Sequence, residues 1–463
     1  MIEHLHVYYS NDLHSHFEQW TKIVSYLKEK EKLHHNNKEN YWTVDIGDHA
    51  DRFHPITEAT LGKSNVELLN DASYDIATIG NNEGITLDYQ DLFHLYDDAD
   101  FHVSCANLLP QKGPLPKWLK EYHIVHSESG VKIAFIGLTA PFTPFYNPLG
   151  WKVESPINYL ARRLPEMKKN ADIIILLSHL GLTEDQIIAE QFHEIDIIIG
   201  GHTHHLFKNG EVINGTLLTA AGKYGHYVGE VHLEWDHENR ELIHKEAYAV
   251  PINHYKDDKQ TTAKLDQLAI KADKQLNRII TSVEAPLDVN WYESTPIIEQ
   301  FTSYLLKWTD ADVSMLNAGI LLDSIGKGAI TFKDIHSICP HPINPCVVEL
   351  TGKELMEVVR GAFDEELIHL EVKGFGFRGK VVGKMIFAGI TVETSQDKNG
   401  KEHVKEIYYQ NESLHSDKIY KLATADMFTF GRMFPVIVRA KQKRFYLPEF
   451  MRDLLASMLK ETV

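Results

Sequence analysis

From residue 1 to about 250, short apolar runs alternate with stretches whose apolar residues recur at helical spacing. The runs cover residues 4–9, 41–46, 76–79, 132–138, 172–177 and 195–199, each the length of a strand. Strand and helix in alternation predict an α/β layered domain. Polar residues cluster just past the runs: Asn11-Asp12-Leu13-His14, Gly47-Asp48, Gly80-Asn81-Asn82-Glu83, Ser178-His179 and Gly200-Gly201-His202-Thr203-His204. Loops at one sheet edge are therefore expected to converge on one site. Between about residues 255 and 285 the composition turns to Lys, Asp, Gln, Ala and Thr, with Leu265, Leu268, Ile270 and Leu276 at helical spacing. This predicts a solvent-exposed helix at the domain junction. Beyond it, a helix over 295–308 and strands over 347–350 and 385–393 indicate an α+β unit. The expected organisation is a first domain at 1–254, a helical linker at 255–290 and a second domain at 291–463.

Composition narrows the function. A chain of 463 residues with 43% hydrophobic and 24% charged positions holds two ordinary cores. Its 47 Lys+Arg against 65 Asp+Glu give a net charge of −18. That balance argues against nucleic acid or a membrane as partner and suits a small phosphorylated substrate held by metals. The apolar runs are too short to span a membrane. The N-terminus lacks a basic segment followed by an apolar one, which argues against export. Only three cysteines occur, Cys105, Cys339 and Cys346, an odd number that suits a reducing compartment, the cytoplasm. Oligomeric state is left open.

Two-cation chemistry on phosphate esters needs a carboxylate that bridges the ions, with imidazoles, carboxylates and an amide in the remaining positions. Asp12 and His14 stand two apart, so extended backbone would point both the same way. Asp48 follows Gly47, which lets the backbone approach a crowded centre. Asn81, His179, His202 and His204 complete the set. In this order, Asn-Asp-x-His, Gly-Asp, Gly-Asn-x-Glu, Ser-His-x-Gly and Gly-His-x-His resemble the signature of the calcineurin-like metallophosphoesterases, particularly the 5′-nucleotidase branch. The resemblance implies a four-layer α/β sandwich. It further implies Asp12, His14, Asp48 and His204 on one metal and Asp48, Asn81, His179 and His202 on the other, with Asp48 as the bridge. A metal-bound hydroxide would attack phosphorus in line, served by two divalent ions. Nitrogen and oxygen donors suit Mn, Zn or Fe. His16, His49 and His54 lie near these ligands and are candidates to hydrogen-bond a ligating imidazole. His4, His6, His34 and His35 read as structural or exposed.

One part of the signature is broken. The family follows Gly-Asn with a histidine that a nearby aspartate supports, and here those positions are Asn82 and Ile85. Asn82 remains a catalytic candidate with Asp48, because an amide donates a hydrogen bond to transition-state oxygens. It cannot deliver a proton. Three readings follow: a 5′-nucleotidase that tolerates Asn82, a hydrolase of activated esters such as cyclic or pyrophosphate-linked nucleotides, or a metal-retaining nucleotide-binding or regulatory protein with little turnover. Retention of all the ligands favours a hydrolase.

Residues 290–463 resemble the C-terminal domain of 5′-nucleotidases, through the stretches 311–319, 330–334, 348–355 and 420–426. The resemblance implies that this domain binds the nucleoside, with its base stacked between two phenylalanines, and rotates to carry it to the metals. Phe375 and Phe434 are the candidates, Asn317 and Gly319 fit the family's Asn-Gly-Gly turn, and Arg378, Arg360 or Arg432 would replace an arginine missing after that turn. The segment 339–346, with Cys339, His341 and Cys346, has no common metal-site spacing and reads as a proline-stiffened loop.

Overall fold

Ile133, Phe135, Ile175, Leu177, Ile197 and Ile199 share one core, while Ala134, Ile136, Ile174, Leu176 and Ile198 share another. This division follows from the two-residue period of a strand, and runs apolar at every position can only belong to a sheet covered on both faces. The computed structural model describes residues 1–398 and 402–462. The chain forms two units, Met1–Ala272 and Asp273–Val463.

The first unit contains two stacked sheets. One orders its strands Glu241–Pro251, Tyr227–Asp236, Ile2–Ser10, Asn40–Asp45, Ile76–Ala77, His102–Ser104 and Leu119–Lys120. The other runs Glu211–Ile213, Thr216–Thr219, Ile197–Gly200, Ile173–His179, Lys132–Thr139 and Tyr122–His126. Their facing sides make a common core in which Leu5, Val7, Val44 and Val231 of the first sheet meet Phe135, Ile175 and Ile199 of the second. Helices cover the outer faces. Pro156–Asn170 lays Tyr159, Leu160, Leu164 and Met167 on the second sheet. Phe17–Asn37 buries Trp20, Ile23, Val24 and Leu27, an apolar stripe at the i, i+3, i+4, i+7 spacing of one helix face. Helix, sheet, sheet and helix make four layers.

The central strands Ile2–Ser10, Asn40–Asp45 and Ile76–Ala77 pair in parallel, as do Lys132–Thr139, Ile173–His179 and Ile197–Gly200. Their carboxyl ends therefore lie at one rim, where an α/β sheet binds ligands. The helix Lys259–Leu276 buries Leu268, Ala272 and Leu276 along one stripe and leaves Ile270 exposed. It is thus half-buried rather than wholly solvated, and Lys264 ties it to Glu67 and Asp71.

In the second unit a five-stranded sheet, ordered Met385–Ala388, Val313–Asn317, Ile419–Ala425, Pro345–Thr351 and Lys443–Phe445, packs against helices that include Pro296–Thr309 and Gly352–Gly361. The Thr351-x-x-Glu354 motif is a capping box: the Thr351 hydroxyl accepts the Glu354 N–H, and the Glu354 carboxylate accepts the Thr351 N–H at 2.7 Å. For Ile175, fully buried between the sheets, substitution by Ala is expected to lower the stability of the first unit by about 2–5 kcal/mol. Urea unfolding checks this; an unchanged midpoint would contradict the packing described.

Candidate functional site

The loop after Ile2–Ser10 and the loop after Asn40–Asp45 are laced together. The Asp12 N–H donates to Gly47 O at 3.1 Å, His14 N–H to Asp48 O at 2.8 Å and Ser15 N–H to His49 O at 3.0 Å. Asn11 anchors the first loop, donating to Asp12 Oδ2 and Gly222 O, both at 2.7 Å. Close approach demands glycine at two points. A Cβ on Gly47, which has φ of +87°, would lie 2.3 Å from Gly80 N, and one on Gly80 would lie 2.1 Å from Asp48 Oδ1.

Seven side chains meet at this rim. Asp12, His14 and His204 converge as one group and Asp12, Asp48 and His179 as another. Nε2 of His14 lies 3.0 Å from Nε2 of His204. Asp48 straddles the groups, with Oδ2 3.6 Å from His14 Nε2 and Oδ1 3.4 Å from His179 Nε2. Oδ1 of Asn81 is 3.2 Å from His179 Nε2 and 2.7 Å from His202 Nδ1. All seven sequence-expected ligands are thus brought together, and Asp12 shares the straddling position that the motif assigned to Asp48 alone. Asp12, Asp48 and His179 are buried, while Asn81, His202 and His204 are partly exposed and form the open side.

The backbone is strained here. Asp12, His14, Asp48, His202 and His204 all have φ between +50° and +69°, a left-handed conformation that costs a non-glycine residue about 1–3 kcal/mol. Burial alone would favour the neutral form of each ionisable group. Opposite charge overrides it: His179 is pushed up to about 10 by Asp48 and Asp12, His14 is also raised, and the Asp48 carboxyl lies below its usual range through His179 and His14. His202 is pushed down to about 4 by burial and by His179. Imidazole nitrogens and carboxylate oxygens crowded at such distances on strained backbone fit cation binding, and the all-nitrogen-and-oxygen donor set fits divalent Mn, Zn or Fe.

The supporting contacts differ from those expected. His49 Nδ1 meets the Asn65 amide, His54 accepts the Ile56 N–H at a helix start, and His16 meets Glu18. The imidazole partners are instead Asp51, 3.2 Å from His14 Nδ1, and the Ile46 carbonyl, which accepts from His179 Nδ1 at 2.8 Å. Glu83, which the sequence marks only by its place in Gly-Asn-x-Glu, is buried and accepts the N–H groups of Asp48, Gly80 and Ala50 at 3.0, 3.0 and 2.8 Å. The Asn82 N–H donates to Asp48 Oδ1 at 2.7 Å, and its side-chain amide nitrogen lies 2.6 Å from His14 Nδ1.

In the second unit, Phe375 is 48% exposed at φ +53°, between Gly374 and Gly376. Its ring parallels that of Phe430, 3° apart in plane and 6.1 Å between centroids. Phe434, expected there, is instead buried and packs edge-on against Phe428; its position opens a helix whose apolar face fills the core. Asn317 is buried and donates to Val382 O at 2.8 Å, and its Oδ1 has no hydrogen-bond partner among the described residues. A Cβ on Gly319 would lie 2.0 Å from Val381 O. The Arg378 N–H donates to His341 Nδ1, and His341 Nε2 donates to Ile320 O, so both nitrogens of that imidazole are engaged.

Residues 5–206 match the calcineurin-like phosphoesterase family, and residues 274–437 match the 5′-nucleotidase C-terminal domain. The chain is 44% identical over 462 residues to the uncharacterized metallophosphoesterase YunD of Bacillus subtilis, covering 100% of both. It is 26% identical to a 5′-nucleotidase of Vibrio parahaemolyticus over 75% of this chain and 68% of that one. In fold it is similar to the NAD nucleotidase of Haemophilus influenzae, with a TM-score of 0.70 at 16% identity over 100% and 97% of the two chains.

Two substitutions test the site by metal titration. Asp48→Ala is expected to abolish tight manganese or zinc binding at this rim. Glu83→Gln, which breaks the hydrogen bonds that hold the Asp48 loop, is expected to weaken binding by about ten- to a hundredfold. Undiminished affinity in both variants would contradict the arrangement.

Proposed function

Because the chain belongs to the calcineurin-like metallophosphoesterase and 5′-nucleotidase family and is a hydrolase of phosphoric esters, we propose that it acts on nucleotides through a two-cation centre at Asp12, His14, Asp48, Asn81, His179, His202 and His204. The carrying observation is the convergence of those seven donors on strained, laced loops. Two divalent cations there supply Lewis acidity toward phosphoryl oxygens and make water more acidic. Asp48 and Asp12 hold the charge of both positions, and Glu83 fixes the Asp48 backbone. Asn81, His202 and His204 line the open side from which a phosphate enters.

Asn82 sets the preference for leaving group. Its amide is turned onto His14, and it has no proton to give a departing alkoxide. Pyrophosphate-linked nucleotides, whose phosphate leaving group departs unaided, and cyclic nucleotides, whose ring strain assists departure of the alkoxide, are therefore favoured over nucleoside monophosphates. Phe375 and Phe430 are the base platform in this reading, since the exposed face of Phe375, parallel to the half-buried Phe430, accepts any base. The 5′-nucleotidase relative supports the nucleotide class. Three buried, unbridged thiols, Cys105, Cys339 and Cys346, support the cytoplasm as its compartment.

The test is a hydrolysis panel with manganese, with zinc or with no added metal. It compares nucleoside 5′-monophosphates, 2′,3′-cyclic nucleotides, dinucleotide and nucleotide-sugar diphosphates, and a nitrophenyl phosphodiester. Metal-dependent release from diphosphate or cyclic nucleotides, faster than from monophosphates, is expected; no release from any nucleotide would overturn the reading. Phe430→Ala is expected to raise KM for nucleotides by roughly five- to a hundredfold, the scale of about 1–3 kcal/mol per stacked base. The same variant should leave the nitrophenyl ester unaffected.

A further inference from the structure

Histidines also gather away from the rim, on the outer face of the first sheet. His4 and His6 alternate outward along Ile2–Ser10, His232 stands on the neighbouring strand, and His34 comes from the helix Phe17–Asn37. Their rings form a chain: His4 to His232 at 5.3 Å, His232 to His6 at 4.9 Å and His6 to His34 at 4.2 Å between centroids. We propose that His6, His34 and Glu39 form a third cation site, for zinc or a similar divalent transition ion. Four residues of extended strand, roughly 13 Å, separate His6 from Ser10, and Asp12 lies in the loop beyond, so this site is independent of the rim.

The donor atoms are already assembled. Nδ1 of His34 lies 2.9 Å from Glu39 Oε2, and Nε2 of His6 lies 3.7 Å from the same oxygen. All three lie within 4.8 Å of one another. Two ligands at zinc–donor lengths of about 2.0–2.1 Å in a tetrahedron stand roughly 3.3 Å apart, so small side-chain rotations close the shell. Backbone geometry builds the trio: the helix ends at Lys38 with φ of +59°, and the Glu39 N–H turns back to donate to His34 O at 3.0 Å. The His34 imidazole is 2% exposed, and its Nε2 lies 2.6 Å from the Tyr8 hydroxyl. That contact orients the ring as the outer partner of a ligating histidine does.

Hydrogen bonds alone leave one group unsatisfied. His34 and Glu39 satisfy each other, with Asn37 adding a bond to Glu39 at 3.3 Å, but Nε2 of His6 is buried with no hydrogen-bond partner among the described residues and faces the Glu39 carboxylate. Burial and the neighbouring His34 and His232 push His6 down to about 4, leaving it neutral, the form that ligates. An ion would join strand, helix and turn at the end of the layer opposite the rim.

The measurement is zinc content by elemental mass spectrometry after equilibration with zinc and dialysis, on the full chain and on His6→Gln, Glu39→Gln, His232→Gln and Asp48→Ala. His6→Gln and Glu39→Gln should each lose about one zinc per chain, with native circular dichroism and unchanged hydrolysis. Asp48→Ala should retain that zinc. Equal zinc in the parent and in both folded variants would overturn the proposal. So would a loss in His232→Gln with none in Glu39→Gln, because the ion would then belong to the more exposed His4, His232 and Glu234.

Discussion

The structure of the first unit is organised around a single constraint: two buried carboxylates, Asp12 and Asp48, must stand within a few ångströms of four imidazoles and an amide. Five of the seven residues adopt left-handed backbone to do so, and each is costly without glycine. The cost is offset by rigid surroundings. Parallel strands of two sheets end at the same rim, and the loops that leave them hydrogen-bond to one another before any side chain is placed. Gly47 and Gly80 permit that contact, because any side chain at either position would overlap the neighbouring loop. Glu83 then collects three N–H groups, so the bend that presents Asp48 is fixed from behind.

In the proposed reading, chemistry and recognition fall on separate units of the chain. The rim supplies nitrogen and oxygen donors suited to cations, but at Asn82 it carries an amide, which does not titrate and which contacts His14. Activity would then depend on the ester rather than on a protein acid. The second unit offers the exposed, glycine-flanked Phe375 beside Phe430, a surface suited to a flat, uncharged ring.

Much of this was legible in the sequence because the period of a strand and the residues at its end are local properties. Residues 173–177 and 197–199 are apolar at every position, and both became interior strands. Each candidate metal donor lies within a few residues of a strand. What escaped depends on contacts between distant residues. Phe430 and Phe434 are four apart, and only packing decides that Phe434 enters the core while Phe430 faces Phe375. Asp51 was hidden because its partner, His14, is on another loop. His4 and His6 looked like ordinary strand residues because His34 and His232 reach them only through the sheet and its covering helix. The helix at 259–276 reads as solvent-exposed from its sequence because Ala272, which completes its buried stripe, carries little hydrophobic signal.

The most direct test of the central claim is anomalous diffraction from crystals grown with manganese. Two peaks about 3.5–4 Å apart are predicted at the rim, one beside Asp12, His14 and His204 and the other beside Asn81, His179 and His202, with Asp48 reaching both. A single peak, or none, with the loops in the same conformation would contradict a two-cation centre.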